Sequence, residues 1–180
     1  AAQIFREEHP DRNIHVFNSC SPSAGETKIA LELAGLAGSG LPFDEVAAQM
    51  DRRIADMNTL FVLENLDTLR KAGRLTRVQS LITGALRVKL VMGSTPQGEI
   101  MRHGQALSIK QALSKLVTIM ADDEKHRGKL LCISHCLCRD RAEYLRSLAF
   151  KYCSFADVRI EETRGISSFY ANSGGIVAAY

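Results

Sequence analysis

The strongest constraint in this sequence is an alternation of two hydrophobic periods. TLFVLE (59–64), KLLCISH (129–135), DVRIEE (157–162) and GIVAAY (175–180) have the length and apolar content of strands. Between them run segments whose apolar residues recur every three to four positions, the period of a helix face. Ser108, with Gln111 three residues on, forms a capping box. It opens a helix that carries Ile109, Ala112, Leu113, Leu116, Val117 and Met120 inward. A second helix is expected over 141–152, a third from Thr27 with Ile29, Leu33 and Leu36, and a fourth behind Asp44 and Glu45. VKLVM and EIMRH flank GSTPQG as a hairpin, so at least one strand pair must be antiparallel. Strands alternating with amphipathic helices predict an α/β architecture built on a mixed sheet.

Other segments are read in the same way. Ile4 and Phe5 fit a short helix, IHVFN (14–18) a buried strand, and NLDTLRKAGRL and RVQSLITGAL two short helices parted at Gly73. The glycine-rich GLAGSGLP stretch, or the helix after it, is the expected hinge between two modules.

Composition narrows the function classes. A net charge of +3 on 180 residues is too mild to name nucleic acid as a partner. No apolar run approaches the roughly 18 residues of a membrane span, and the opening AAQIFREEHPDRN lacks the features of a signal peptide, so a cytoplasmic protein is expected. The five cysteines are an odd set without C-x-x-C spacing, which suits reduced thiols.

Several motif-like strings carry little. GSTPQGE has Glu99 where a phosphate-binding loop needs lysine. Cys132, His135, Cys136 and Cys138 offer soft metal ligands, but along a strand Cys132 and Cys136 face one way and His135 the other. Ser134 beside His135 fails as a catalytic pair for the same reason. With no convincing nucleophile or base, the expectation is a protein that is not an enzyme and needs neither cofactor nor metal.

Two clusters remain. Arg70, Lys71, Arg74, Arg77, Arg87 and Lys89 place six cations in 20 residues without an acidic side chain between them. Such a run is usually a solvated face, yet it also attracts an anionic ligand or a partner's phosphate. Near the end of the chain, Ser167, Ser168, Tyr170, Asn172 and Ser173 supply hydroxyl and amide donors, and Gly174 and Gly175 let backbone N–H groups approach a bound oxygen. The same composition suits an ordinary polar turn that satisfies its own backbone.

The stretch from FVLENLDTLRKAGRL to VKLVMGSTPQGEI resembles the DegV family of bacterial fatty-acid-binding proteins, as do HVFNSCSPSAGE and SSFYANSGGIVAAY. The resemblance runs through almost the whole chain. It implies a two-domain α/β protein, with 1–44 and 164–180 as the remainder of an incomplete Rossmann-like lipid-binding domain and 45–163 as a second, mixed-sheet α/β domain. It implies a long-chain fatty acid in a buried apolar tunnel, its carboxylate presented to an ATP-dependent fatty acid kinase. Tyr170, Asn172, Ser173, Gly174, Ser168 and Ser19 are the expected ligand-binding residues, and Arg70, Arg74 and Arg77 the expected partner-binding ones. Tyr170 stands where the family often has a histidine, and Leu107 where kinase-dependent members commonly have an arginine. The family's first third has no counterpart here, so a fragment prone to self-association is expected. An α/β enzyme acting on an acyl or phosphorylated substrate, and a basic interaction module, are the alternatives.

Overall fold

A computed structural model describes residues 2–75 and 88–180. Its centre is one six-stranded sheet in the order β3-β2-β1-β6-β4-β5. The strands are β1 (Thr59–Val62), β2 (Lys89–Ser94), β3 (Ile100–Ala106), β4 (Leu130–His135), β5 (Asp157–Glu162) and β6 (Ile176–Ala179). Helices α1 (Ala2–Glu8), α2 (Ala24–Ala37), α3 (Phe43–Ala55), α4 (Asp67–Lys71), α5 (Ile109–Asp122), α6 (Arg139–Tyr152) and α7 (Gly165–Ala171), with a short 3-10 helix at Glu124–His126, complete the described elements.

The sheet is mixed, as the alternation of periods predicts. β4 and β5 pair in parallel, joined by the crossover helix α6, and every other neighbouring pair is antiparallel. Strand alternation splits the apolar residues between two cores. Leu60, Val62, Leu131, Ile133, Ile176 and Ala178 face one side, where the inward residues of α5 and α6 cover them. Phe61, Leu63, Cys132, Val177 and Ala179 face the other, packed with Ala24, Leu69 and Ala171 from α2, α4 and α7. A smaller cluster of Ile29, Leu36, Val46 and Met50 joins α2 to α3.

The capping box at the start of α5 forms with one change. The Ser108 hydroxyl accepts from the Gln111 amide at 3.2 Å, while the Gln111 side chain accepts from the amide of Leu107, one residue earlier than expected. The hairpin also forms, with a bulge between Val91 and Met92 that leaves His103 as the extra residue on β3.

Two expectations are corrected. IHVFN is not a strand: residues 13–19 are irregular and Val16 is 63% exposed, because no strand of the sheet runs beside them. The segment SSFYA is not a turn but most of helix α7. β6 lies at the centre of the sheet, paired with β1 on one side and β4 on the other. Residues 164–180 therefore share the sheet and both cores of the 45–163 segment.

Candidate functional site

A cavity of about 610 Å³ opens on the sheet face opposite α5 and α6. Its floor comes from strand alternation. Thr59, Phe61 and Leu63 point the same way and span about 13 Å at ~3.3 Å per residue, with Val177 beside them on β6. Leu69 of α4, Ala171 of α7 and Ile100 of β3 add apolar walls. Gly93 contributes bare backbone, because a side chain there would strike the His103 ring and the Thr59 carbonyl.

Polar groups line the rim. Ser23 and Thr59 stand where α2 begins, and the Thr59 hydroxyl is 2.6 Å from that of Ser21. Ser167 and Tyr170 enter from α7, Arg74 from the turn after α4, and Ser94 and Glu99 from the β2–β3 hairpin. The Arg74 position is set by a Schellman motif. The Gly73 amide donates to the Arg70 carbonyl, and the Arg74 amide donates to that of Leu69 at 2.9 Å, with Gly73 at a φ of +69°.

The six expected ligand residues separate sharply. Tyr170 lines the cavity. Ser168 instead places its hydroxyl 2.9 Å from that of Thr163. Asn172 exchanges side-chain hydrogen bonds with Thr68, and Ser173 is exposed. The Gly174 amide donates to the Cys136 carbonyl at 2.8 Å and so is already committed. The Ser19 hydroxyl donates to the Ser21 carbonyl. Of the expected partner-binding residues, Arg70 pairs with Asp67 at 3.2 Å, Arg74 lines the cavity, and Arg77 lies outside the described residues, as does Arg87 of the same run.

The turn after α7 is held by a charged brace. One Arg141 nitrogen donates to the Glu64 carboxylate at 2.8 Å and to the Gly174 carbonyl at 2.9 Å. Lys89 donates to the other Glu64 oxygen and to the Glu64 carbonyl, both at 2.9 Å. The Lys89 hydrogen bond, helped by Arg141 and opposed by burial, holds the Glu64 carboxyl below its ordinary range. Gly174 has a φ of +88°, which favours glycine, and a side chain there would displace the Arg141 guanidinium, 2.6 Å away, from the brace.

The cysteines take no part in the cavity rim. All five are free, and burial pushes the Cys132 thiol up to about 11 and the Cys138 thiol upward as well. Cys132 and Cys136 share one core and Cys138 belongs to the other. Among the described residues, no group of three or more His, Cys, Asp or Glu side chains could hold a metal ion. No described helix is long and apolar enough to cross a membrane.

Fold and site together define a mixed-sheet α/β protein with an apolar, polar-rimmed cavity on one sheet face. The chain belongs to the DegV family: the model of that family, described as an uncharacterised protein, matches residues 1–179. A DegV domain-containing protein of Streptococcus gordonii is 29% identical over 180 residues, covering 100% of this chain and 64% of the relative. One from Streptococcus pneumoniae strain R6 is 31% identical over 193 residues, with the same shares of 100% and 64%. The crystal structure of a DegV family protein from Ruminococcus gnavus, refined with vaccenic acid, superposes with a TM-score of 0.93 at 43% identity, over 99% of this chain and 64% of that one. The Streptococcus pneumoniae fatty acid kinase (Fak) B3 protein, loaded with linoleic acid, superposes with a TM-score of 0.89 at 26% identity, over 99% and 63%. The chain thus spans a little under two thirds of the length of these relatives.

Proposed function

We propose that this chain binds a long-chain fatty acid, with the acyl tail along Phe61, Leu63, Leu69, Ala171 and Val177 and the carboxylate at the rim where Tyr170 stands. The observation that carries the reading is the apolar-floored cavity of about 610 Å³, within the range of roughly 300–1,000 Å³ usual for small-molecule sites. The Ruminococcus gnavus relative, refined with vaccenic acid, supports the choice of ligand. Burying each methylene is worth about 0.8 kcal/mol, so some 14 of them supply on the order of 11 kcal/mol before immobilisation costs. The head group sets the opposite demand, since a carboxylate leaving water must be met by donors.

The protein acts in this scheme as a carrier. Among the described lining residues there is no histidine, cysteine or lysine, so the rim supplies donors and not a histidine or lysine base. The Fak B3 relative favours a fatty acid kinase as the partner that receives the presented carboxylate. Arg74, which lines the cavity, and Arg70 of α4 are the described cations suited to meet it.

Denaturing extraction of the purified chain followed by mass spectrometry should release fatty acids, and titration of the delipidated chain with oleate should give saturable binding. Ala171→Phe, which fills the cavity from α7, should abolish that binding while the folded circular dichroism spectrum persists. A folded chain that neither carries lipid nor binds oleate overturns the proposal.

A further inference from the structure

The cavity floor changes character at one level of the sheet. β1 sends Leu63, Phe61 and Thr59 to the cavity face, and β2 sends Leu90, Met92 and Ser94 to the same face. On both strands the series runs apolar, apolar, hydroxyl. Leu60 stands opposite Gly93, so the next pair along this antiparallel ladder is Thr59 with Ser94, their Cβ atoms about 4.5–5.5 Å apart. Ser23, at the start of α2, and Glu99 of the hairpin line the cavity at this end too. Leu69 of α4 and Tyr170 of α7 belong to the other end, beyond Leu63, because α4 follows β1 and α7 precedes β6, whose Ile176 pairs with Val62.

The hydroxyls at the Thr59 end have capacity to spare. The Ser21 hydroxyl donates to the Pro22 carbonyl at 3.5 Å and lies 2.6 Å from that of Thr59. Thr59 then donates to Ser21 and keeps its own lone pairs for a further donor. Thr59 is 3% exposed, so that donor has to enter through the cavity. The Ser23 hydroxyl does not cap α2, and among the described residues that of Ser94 has no hydrogen-bond partner. A bare methyl end pressed on these groups would take them out of water without replacing the hydrogen bonds. A ligand hydroxyl at the same level can donate to Thr59 and accept from Ser94.

We propose that the cavity has a second polar pole, at which Thr59 and Ser94, with Ser23 beside them, select acyl chains that carry a hydroxyl far from the carboxylate. The inference rests on the fatty-acid reading above and names the class of chain within it.

The test compares oleate with ricinoleate, the same chain with one hydroxyl added in its distal half, on the unmutated protein and on Thr59→Val and Ser94→Ala. Ricinoleate should bind the unmutated protein about 3- to 10-fold more tightly than oleate, the range for one net hydrogen bond. An oleate hydroxylated beside its carboxylate should show no such gain. Each substitution should remove most of the preference for ricinoleate and leave oleate within about twofold. Circular dichroism checks that the variants fold; Thr59 also bonds Ser21, so Ser94→Ala carries the test alone if Thr59→Val does not fold. Oleate binding without a preference for ricinoleate, or a preference that survives the substitutions, overturns the inference while leaving the fatty-acid reading in place. If the unmutated protein binds neither ligand, that reading fails and the inference falls with it.

Discussion

At the scale of single residues, the cavity rim separates what a side chain offers from where the fold sends it. Tyr170, expected from the sequence as a donor among small polar residues, lines the cavity. Tyr170→Phe keeps the wall and removes the donor. If the hydroxyl meets a desolvated carboxylate, calorimetry should show oleate binding weakened by about 1 to 3 kcal/mol; unchanged affinity would reduce Tyr170 to an apolar wall. The Gly174 amide was read as a donor to ligand, yet it donates to Cys136, 38 positions earlier in the chain. No local pattern announces such a pairing. Arg74 is expected from the sequence, with Arg70 and Arg77, as a partner-binding residue; that among the described members of the run the turn at Gly73 brings it to the cavity is visible only in the fold.

At the scale of elements, period carried most of the reading and failed where a neighbour decides. Helix α5 was plain from its cap and its buried stripe of Ala112, Leu113, Leu116, Val117 and Met120. IHVFN has strand composition but no partner in the sheet, and a strand without a partner leaves its backbone groups unpaired. Helix α7 was missed because serine and glycine are weak helix formers. It is held instead by neighbours, with Ser168 on Thr163 and the turn beyond it on Thr68 and Arg141. The Arg141–Glu64–Lys89 brace makes this arrangement sensitive to acid. The Glu64 carboxyl lies below its ordinary value of 4.5 in the folded chain, so its contribution is fully present above that value and is lost as pH falls through the lowered one. Glu64→Gln should therefore flatten the decline in thermal stability below about pH 4.5, by a small amount because these side chains are partly exposed and screened. Melting temperatures measured for both proteins from pH 6 to pH 3, at low and high salt, would check this; parallel curves would show that the brace does not titrate with folding.

At the scale of the whole molecule, the position of β6 governs both stability and site. The last strand in sequence is third from one edge of the sheet, hydrogen-bonded on both sides, and it supplies residues to both cores. The alternation of Ile176, Val177, Ala178 and Ala179 was visible as a buried strand, but its insertion between β1 and β4 depends on contacts more than 40 residues away in sequence. Such pairing cannot be read from local composition. The far end of the chain is the opposite case. Helix α1 has seven residues and none of them is buried, whereas isolated helices shorter than about 12 residues are marginal in water. Opening free energies should follow this contrast, from near zero at α1 to the global value in β6 and its two partners. Hydrogen exchange followed by mass spectrometry should find the amides of Ala2–Glu8 exchanged at the earliest times and those of Ile176–Ala179 among the last, together with β1 and β4. Added oleate should slow exchange further in α4 and α7, which wall the cavity, and leave α1 unchanged. Exchange in β6 as rapid as in α1 would show that the central strand does not hold the two faces of the sheet together, and that the cavity floor is not the rigid surface on which the acyl-binding proposal depends.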